Sequence, residues 1–193
     1  NVLDIVYGLD GPVYVRMLRG EIPRLFPKDQ PMQLGRPRFL SQGEDITLVT
    51  SGISTEEALR ATPVLQKAGV SIEHIHLSTH KPLPAQELLP SLEKARKCVI
   101  TMENHTVIGG LGYEIAELMA DNGIGKKLYR MGLQDTYAHG GSRAYLMRYY
   151  NLDAWALVKT VEDALKIKTQ ISEDDLKAVR IEAVHSAAKA EAL

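Results

Sequence analysis

The sequence predicts an α/β domain, a mostly parallel sheet flanked by helices, preceded by a fragment of a second α/β domain. Three observations carry this reading. From residue 46 onward, short apolar runs alternate with amphipathic stretches, and strands that alternate with helices require right-handed crossovers and a parallel sheet. A proline- and glycine-bearing stretch divides this pattern from what precedes it. The piece before that stretch has room for a single strand, which cannot satisfy its own backbone groups or cover its apolar face alone.

The elements follow in order along the chain. After Gly11-Pro12, residues 13–17 (Val-Tyr-Val-Arg-Met) read as a strand. Pro23, Pro27, Pro31, Gly35 and Pro37 mark an extended linker, because proline lacks the backbone donor and fixes φ. Ile46–Thr50 is the next strand. Ser54-Thr55-Glu56-Glu57 has the spacing of a capping box. It opens a helix with Ala58, Ala61, Leu65 and Ala68 on one face, ended by Gly69. Pro63 predicts a kink or a late start in that helix. Residues 70–77 form the second strand, 85–95 a short helix, and 98–102 a third strand buried on both faces. Gly109-Gly110-Leu111-Gly112 opens a helix with Leu111, Ile115, Leu118 and Met119 on one stripe. Residues 128–133 are the fourth strand, and helices follow at 142–150 and 153–166. A second capping box, Ser172 to Asp175, starts a last helix with the stripe Leu176, Val179, Ala183 and Ala187. The expected division is an incomplete first domain at 1–22, a linker at 23–40, the α/β domain at 41–168 and a C-terminal helix at 169–193.

The chain has 193 residues, 45% hydrophobic and 24% charged, with a formal net charge of −1. That balance suits a soluble globular protein. It implies no broad basic surface, so nucleic acid is not an expected partner. No apolar run reaches the roughly 20 residues of a membrane span. The one cysteine, Cys98, lies in an apolar run and reads as a buried small hydrophobe. A single cysteine also leaves no internal disulfide and fits a reducing, cytoplasmic compartment. The sequence begins at Asn1 without a methionine and runs straight into Val2-Leu3-Asp4-Ile5-Val6, as expected of a section of a longer protein.

In doubly wound sheets, function gathers at the carboxyl ends of strands. The loops after Thr50, Leu77, Met102 and Leu133 are therefore the places to look. Arg16 and Arg19 flank a strand end beside Gly20. A guanidinium there suits either bidentate phosphate recognition or a surface salt bridge. Glu103-Asn104-His105 places a carboxylate and an imidazole two residues apart after the third strand. They could act as acid and base or as metal ligands, or cap the following helix and bond loop amides. Gly109-Gly110-x-Gly112 could hold an anion on helix-start amides, or permit close packing of helix on strand. It is not the G-x-G-x-x-G fingerprint. His74, His76 and His80 alternate near the second strand, but no carboxylate or cysteine completes a metal set at a recognisable spacing. His139, in a loop before a helix, could reach a neighbouring subunit or a substrate.

Four stretches together resemble a known family. Residues 11–20 (Gly-Pro-Val-Tyr-Val-Arg-Met-Leu-Arg-Gly) resemble the last strand of the pyrimidine-binding domain of transketolases and 1-deoxyxylulose-5-phosphate synthases. Ile46-Thr-Leu-Val-Thr-Ser-Gly52 with Glu57-Ala58 is similar to the opening of their C-terminal domain. Met102-Glu-Asn-His-Thr-Val-Ile-Gly-Gly-Leu-Gly112 is the most specific match, and is especially similar to C-terminal subunits of split transketolases. His139-Gly140-Gly141-Ser142 resembles a loop of deoxyxylulose synthases. The resemblance implies transfer of a two-carbon ketol unit between phosphorylated sugars, with thiamine diphosphate and Mg²⁺ in the complete enzyme. It implies that residues 1–22 are the tail of the pyrimidine-binding domain and that Arg19, with Arg16 nearby, contacts substrate phosphate. Glu103, His105 and His139 are left as loop or interface residues. The cofactor glutamate, diphosphate loop and metal ligands are expected upstream of Asn1, so this section should hold no cofactor and be inactive alone. Expected partners are the N-terminal part of the same enzyme, a second copy of the chain, and a phosphorylated sugar. A deoxyxylulose synthase section, or a binding module similar to the beta subunits of 2-oxoacid dehydrogenases, is the alternative.

Overall fold

The run Ile46–Thr50 is apolar or hydroxyl-bearing at every position and is buried throughout, which places it at the centre of the sheet. The computed structural model describes residues 2–18, 24–27, 29–179 and 181. The strands are β1 (Arg38–Ser41), β2 (Ile46–Thr50), β3 (Ile72–His76), β4 (Cys98–Thr106) and β5 (Lys127–Leu133). Their order is β1-β3-β2-β4-β5, with β1 antiparallel to β3 and every other pair parallel. The helices are α1 (Val2–Tyr7), α2 (Ser54–Lys67), α3 (Ala85–Lys94), α4 (Leu111–Asp121), α5 (Arg143–Tyr149), α6 (Ala154–Leu165) and α7 (Glu173–Ala178).

Period-two alternation along the strands feeds two cores. Ile46 and Leu48 of β2 with Ile100 and Met102 of β4 face α2 and α6, where Leu65, Leu157 and Val161 are fully buried. Val49, Ile75 and Val99 face the other way, onto Leu88 and Leu92 of α3 and Leu111 and Ile115 of α4. Each such side chain contributes about 1.5–3 kcal/mol by leaving water. Cys98 is buried in the first core, as expected, and burial pushes its thiol up to about 11.

Several expectations need correction. Residues 13–17 form no strand; they run irregularly after α1, which has no buried residue. The expected linker ends in an edge strand, because residues 38–41 find open ladder positions beside β3. The segment Ser54 to Glu57 is not a capping box. The cap position is Ile53, with no side-chain bond; the Ser54 hydroxyl is buried without a hydrogen-bond partner among the described residues, while Thr55, Glu56 and Glu57 bond His76, Arg60 and the Ala154 amide. Glu57 accepts the Ala154 amide at 2.9 Å and so ties α2 to α6, and burial raises its pKa. Pro63 lies inside α2 without delaying its start. The second capping box is present: the Ser172 hydroxyl accepts the Asp175 amide, and the Asp175 carboxylate accepts the Ser172 amide in return. That helix ends at Ala178, and Val179 is extended, so Val179 leaves the expected stripe. Ala183 and Ala187 lie outside the described residues.

Candidate functional site

After β2 the chain crosses to β3 on one side, and β4 lies on the other. The carboxyl ends of β2 and β4 therefore diverge at a topological switch point, where loops leave in opposite directions and open a crevice. The Ser51 amide donates to the Met102 carbonyl at 3.2 Å across this point. Gly52 follows with φ +56, and a Cβ there would lie 2.7 Å from Asn104 Oδ1.

The polar run Glu103-Asn104-His105, expected in a loop after the strand at 98–102, lies instead in the last part of β4, past the pairing irregularity that follows Met102, and divides into separate tasks. Glu103 is 2% exposed. Its carboxylate accepts the Leu111 amide at 2.7 Å and the Gly112 amide at 2.8 Å. It thus satisfies orphan donors at the start of α4, where the helix dipole favours negative charge. Two of the glycines are explained by close approach, one of them to the same carboxylate. A Cβ on Gly110 would overlap Glu103 Oε2, and one on Gly112 would fall 2.9 Å from Thr101 Oγ1 and Arg130. The anion on these amides is the protein's own. His105 is exposed and lies 3.1 Å from the Thr106 carbonyl, so it makes no acid–base pair with Glu103. Asn104 presents its carbonyl to Arg16, which donates through Nη2 at 3.0 Å. Arg16 is thereby held at the strand ends. Arg19 lies outside the described residues.

His139 sits among three tyrosines. Its Nδ1 is 3.0 Å from the Tyr150 hydroxyl and its Nε2 3.3 Å from the Tyr145 hydroxyl, and its ring meets Tyr149 edge-on at 4.7 Å. Beside this cluster lies a cavity of about 240 Å³ between the ends of β2, β4 and β5 and helix α5. Leu18, Ile53, Leu133, Leu146 and Met147 give it a largely apolar lining, and Asn104, Arg143 and Tyr150 are its polar members.

Two arrangements were not legible as sites. His74 and His76 share a face of β3, as their spacing indicates, but hydroxyls meet them. Hydrogen bonds run from His74 Nε2 to Thr50 Oγ1 (2.9 Å), from there to Thr55 Oγ1 (2.9 Å), and on to His76 Nδ1 (2.7 Å). Burial holds the His74 imidazole down at about 3, with His76 adding to the effect. Burial, then Arg38 and His80, hold His76 at about 4. His80 turns instead to Glu114, 2.8 Å away. The second arrangement is a carboxylate between two guanidiniums. Glu56, 5% exposed at its side chain, pairs with Arg60 at 2.7 Å and with Arg143 at 3.4 Å. Glu56 was absorbed into the capping-box pattern, and no local pattern joins it to a residue 87 positions later in sequence.

Among the described residues no three His, Cys, Asp or Glu side chains gather to hold a metal ion. None of their helices is long and apolar enough to cross a membrane.

A doubly wound sheet with an antiparallel edge strand and a glutamate-anchored Gly-Gly-x-Gly helix defines the class. Residues 35–157, well over half of the chain, match the transketolase C-terminal domain, and the chain belongs to that family. A Methanocaldococcus jannaschii protein provisionally named a transketolase C-terminal section is 34% identical over 168 residues, covering 86% of this chain and 52% of that protein. A 1-deoxy-D-xylulose-5-phosphate synthase from Parabacteroides distasonis is 31% identical over 79% of this chain and 24% of that enzyme. A solved split-gene transketolase, described as an inactive beta4 tetramer, superposes with a TM-score of 0.78 at 30% identity. The match covers 86% of this chain and 54% of that one. The chain thus spans about half the length of the split relatives it matches.

Proposed function

We propose that this chain is the C-terminal section of a transketolase-type enzyme that moves a two-carbon ketol unit between phosphorylated sugars in the cytoplasm. In this reading the section supplies structure, a dimer interface and a substrate-phosphate contact, and is inactive alone. Thiamine diphosphate, bound with Mg²⁺ by the other part of the enzyme, supplies the carbanion chemistry. No catalytic step is assigned to the side chains of this section.

The observation that carries the reading is the glutamate-anchored helix start within a family match over residues 35–157. The N-terminal segment supports it. Leu3 is 65% exposed, Tyr7 93%, Tyr14 87% and Met17 72%. Large apolar side chains crowded into so short a segment need a cover, and the rest of a pyrimidine-binding domain is the cover proposed. Arg19 is assigned the substrate-phosphate contact. Arg16, fixed on the Asn104 carbonyl, holds the segment that delivers Arg19 and lends its charge to the same phosphate.

The test is to assemble this section with the remainder of its enzyme and to assay xylulose 5-phosphate as donor against pyruvate. Turnover of the sugar phosphate with no turnover of pyruvate is the expected result. Turnover of pyruvate alone would replace this reading with the deoxyxylulose synthase reading, which the 31% identity to such an enzyme favours. Full activity of the section alone would overturn both.

A further inference from the structure

We infer that the switch-point cavity is a binding site for a small carboxylate with an apolar body, separate from the ketol-transfer chemistry. The inference rests on position, size, lining and charge, and does not depend on the activity proposed above.

Position comes first. The cavity lies where β2 and β4 part, between Ile53, Asn104 and Leu133 at the strand ends. Open α/β sheets bind ligands at this crevice because loops diverge there and leave space the sheet cannot fill. Its volume of about 240 Å³ equals that of roughly eight waters at their liquid volume. An aromatic ring with a two-carbon arm, or a branched chain of similar bulk, is of that size.

The lining selects the body of the ligand. Leu18, Ile53, Leu133, Leu146 and Met147 offer sugar hydroxyls no hydrogen bond, and burying a hydroxyl without one is unfavourable. Tyr150, Asn104 and Arg143 are the polar members, so most of the lining has nothing to offer a hydroxyl-rich body, and a hydrocarbon body is favoured by the area it removes from water.

Charge selects the head group. Arg143 lines the cavity, is 48% exposed, and makes no hydrogen bond to any described residue. Among the described residues its ion-pair partner is Glu56, whose Oε2 is buried without a hydrogen bond and lies 3.4 Å from the guanidinium. Glu56 gives its other oxygen to Arg60 at 2.7 Å. The Arg143 guanidinium thus keeps donors that no described residue takes up. A planar fork of N–H groups beside an apolar cavity matches a carboxylate attached to an apolar body. Glu56, a nearly buried carboxylate 3.4 Å from Arg143 Nη1, tethers that end of the fork.

The probe is 3-phenylpropionate, with 3-phenylpropanamide as its neutral counterpart and inorganic phosphate as an anion without a body. Each is titrated into the full 193-residue chain and followed by ligand-observed NMR. The acid should saturate with a dissociation constant at or below about 1 mM, and the amide should bind at least about tenfold more weakly, the loss of one charge-assisted pair. Phosphate should not compete. Arg143→Gln should bring the acid down to the amide's affinity and leave the amide unchanged. Ala138→Trp fills the cavity from its exposed rim and should abolish binding of both, with an unchanged unfolding midpoint showing that the fold is intact. Equal binding of acid and amide, full competition by phosphate, wild-type affinity in either variant, or no saturation by about 10 mM would each overturn the inference.

Discussion

Replacing Gly110 by alanine should destabilise this protein severely, through one contact. Gly110 has φ −101° and ψ −164°, a conformation alanine adopts freely, so backbone strain plays no part. The added Cβ would overlap Glu103 Oε2 and fall 2.6 Å from the Thr106 carbonyl oxygen. Neither can stay where it is. Once displaced, the Glu103 carboxylate loses the Leu111 and Gly112 amides, at 2.7 and 2.8 Å. Hydrogen bonds to a charged group are worth about 1.5–3 kcal/mol each, so the loss is about 3–6 kcal/mol. Domains of this kind are stable by about 5–15 kcal/mol in total. Urea unfolding measures the change directly. With a slope of about 1–3 kcal/mol per molar, the midpoint should fall by at least about 1 M. Gly140→Ala is the control, because a Cβ there meets nothing within 4 Å, and it should unfold like the wild type. If Gly110→Ala stays within about 0.5 kcal/mol of the wild type, the usual range for a featureless surface change, the anchoring role of Glu103 is wrong.

Further outcomes follow from the same geometry. His74 and His76 sit at about 3 and about 4 in the fold against an ordinary value near 6.5, so the unfolded chain takes up their protons first as pH falls. Their contribution to stability is complete above about pH 6.5 and is lost toward pH 4, at about 2.5 kcal/mol per pH unit near pH 5; unfolding free energies for a His74→Asn/His76→Asn pair of substitutions should show that slope flattened. Gly52→Ala combines a φ of +56 with a Cβ 2.7 Å from Asn104 Oδ1 and should cost about 1–3 kcal/mol by thermal or urea unfolding. Arg19→Ala in the assembled enzyme should lower kcat/KM for phosphorylated sugars about 10- to 100-fold, the value of a charge-assisted pair, and leave unphosphorylated sugars untouched. An equal loss on both substrates would mean that Arg19 is structural.

The fold was legible wherever periodicity reports burial. The runs at 46–50, 98–102 and 128–133 and the helices opened at Gly109–Gly112 and at Asp153 all appear, though the strand read as 98–102 continues to Thr106. Failures occurred where tertiary partners decide. Residues 13–17 alternate as a strand does, yet no described neighbour pairs with them. Residues 38–41 carry no alternation worth the name and become a strand because β3 offers an open edge. Ser54 to Glu57 matches a capping box letter for letter, but Glu57 has a better donor in the Ala154 amide, 97 residues away.

The site shows the same division. The sequence marked Glu103-Asn104-His105 and Gly109-Gly110-x-Gly112 as separate curiosities, each open to a ligand. The structure joins the two, because the anion that the helix start invites is Glu103 itself. Once that carboxylate occupies the amides, an external phosphate there would meet its charge at hydrogen-bonding distance, and like charges so close repel strongly. On the function proposed above, the substrate phosphate would be met elsewhere, by the arginines of the N-terminal segment. Arg16 reaches back to the Asn104 carbonyl, the residue immediately after Glu103. One short polar run therefore performs two tasks: its carboxylate fixes helix α4 against the sheet, and its backbone holds the arginine-bearing segment over the strand ends.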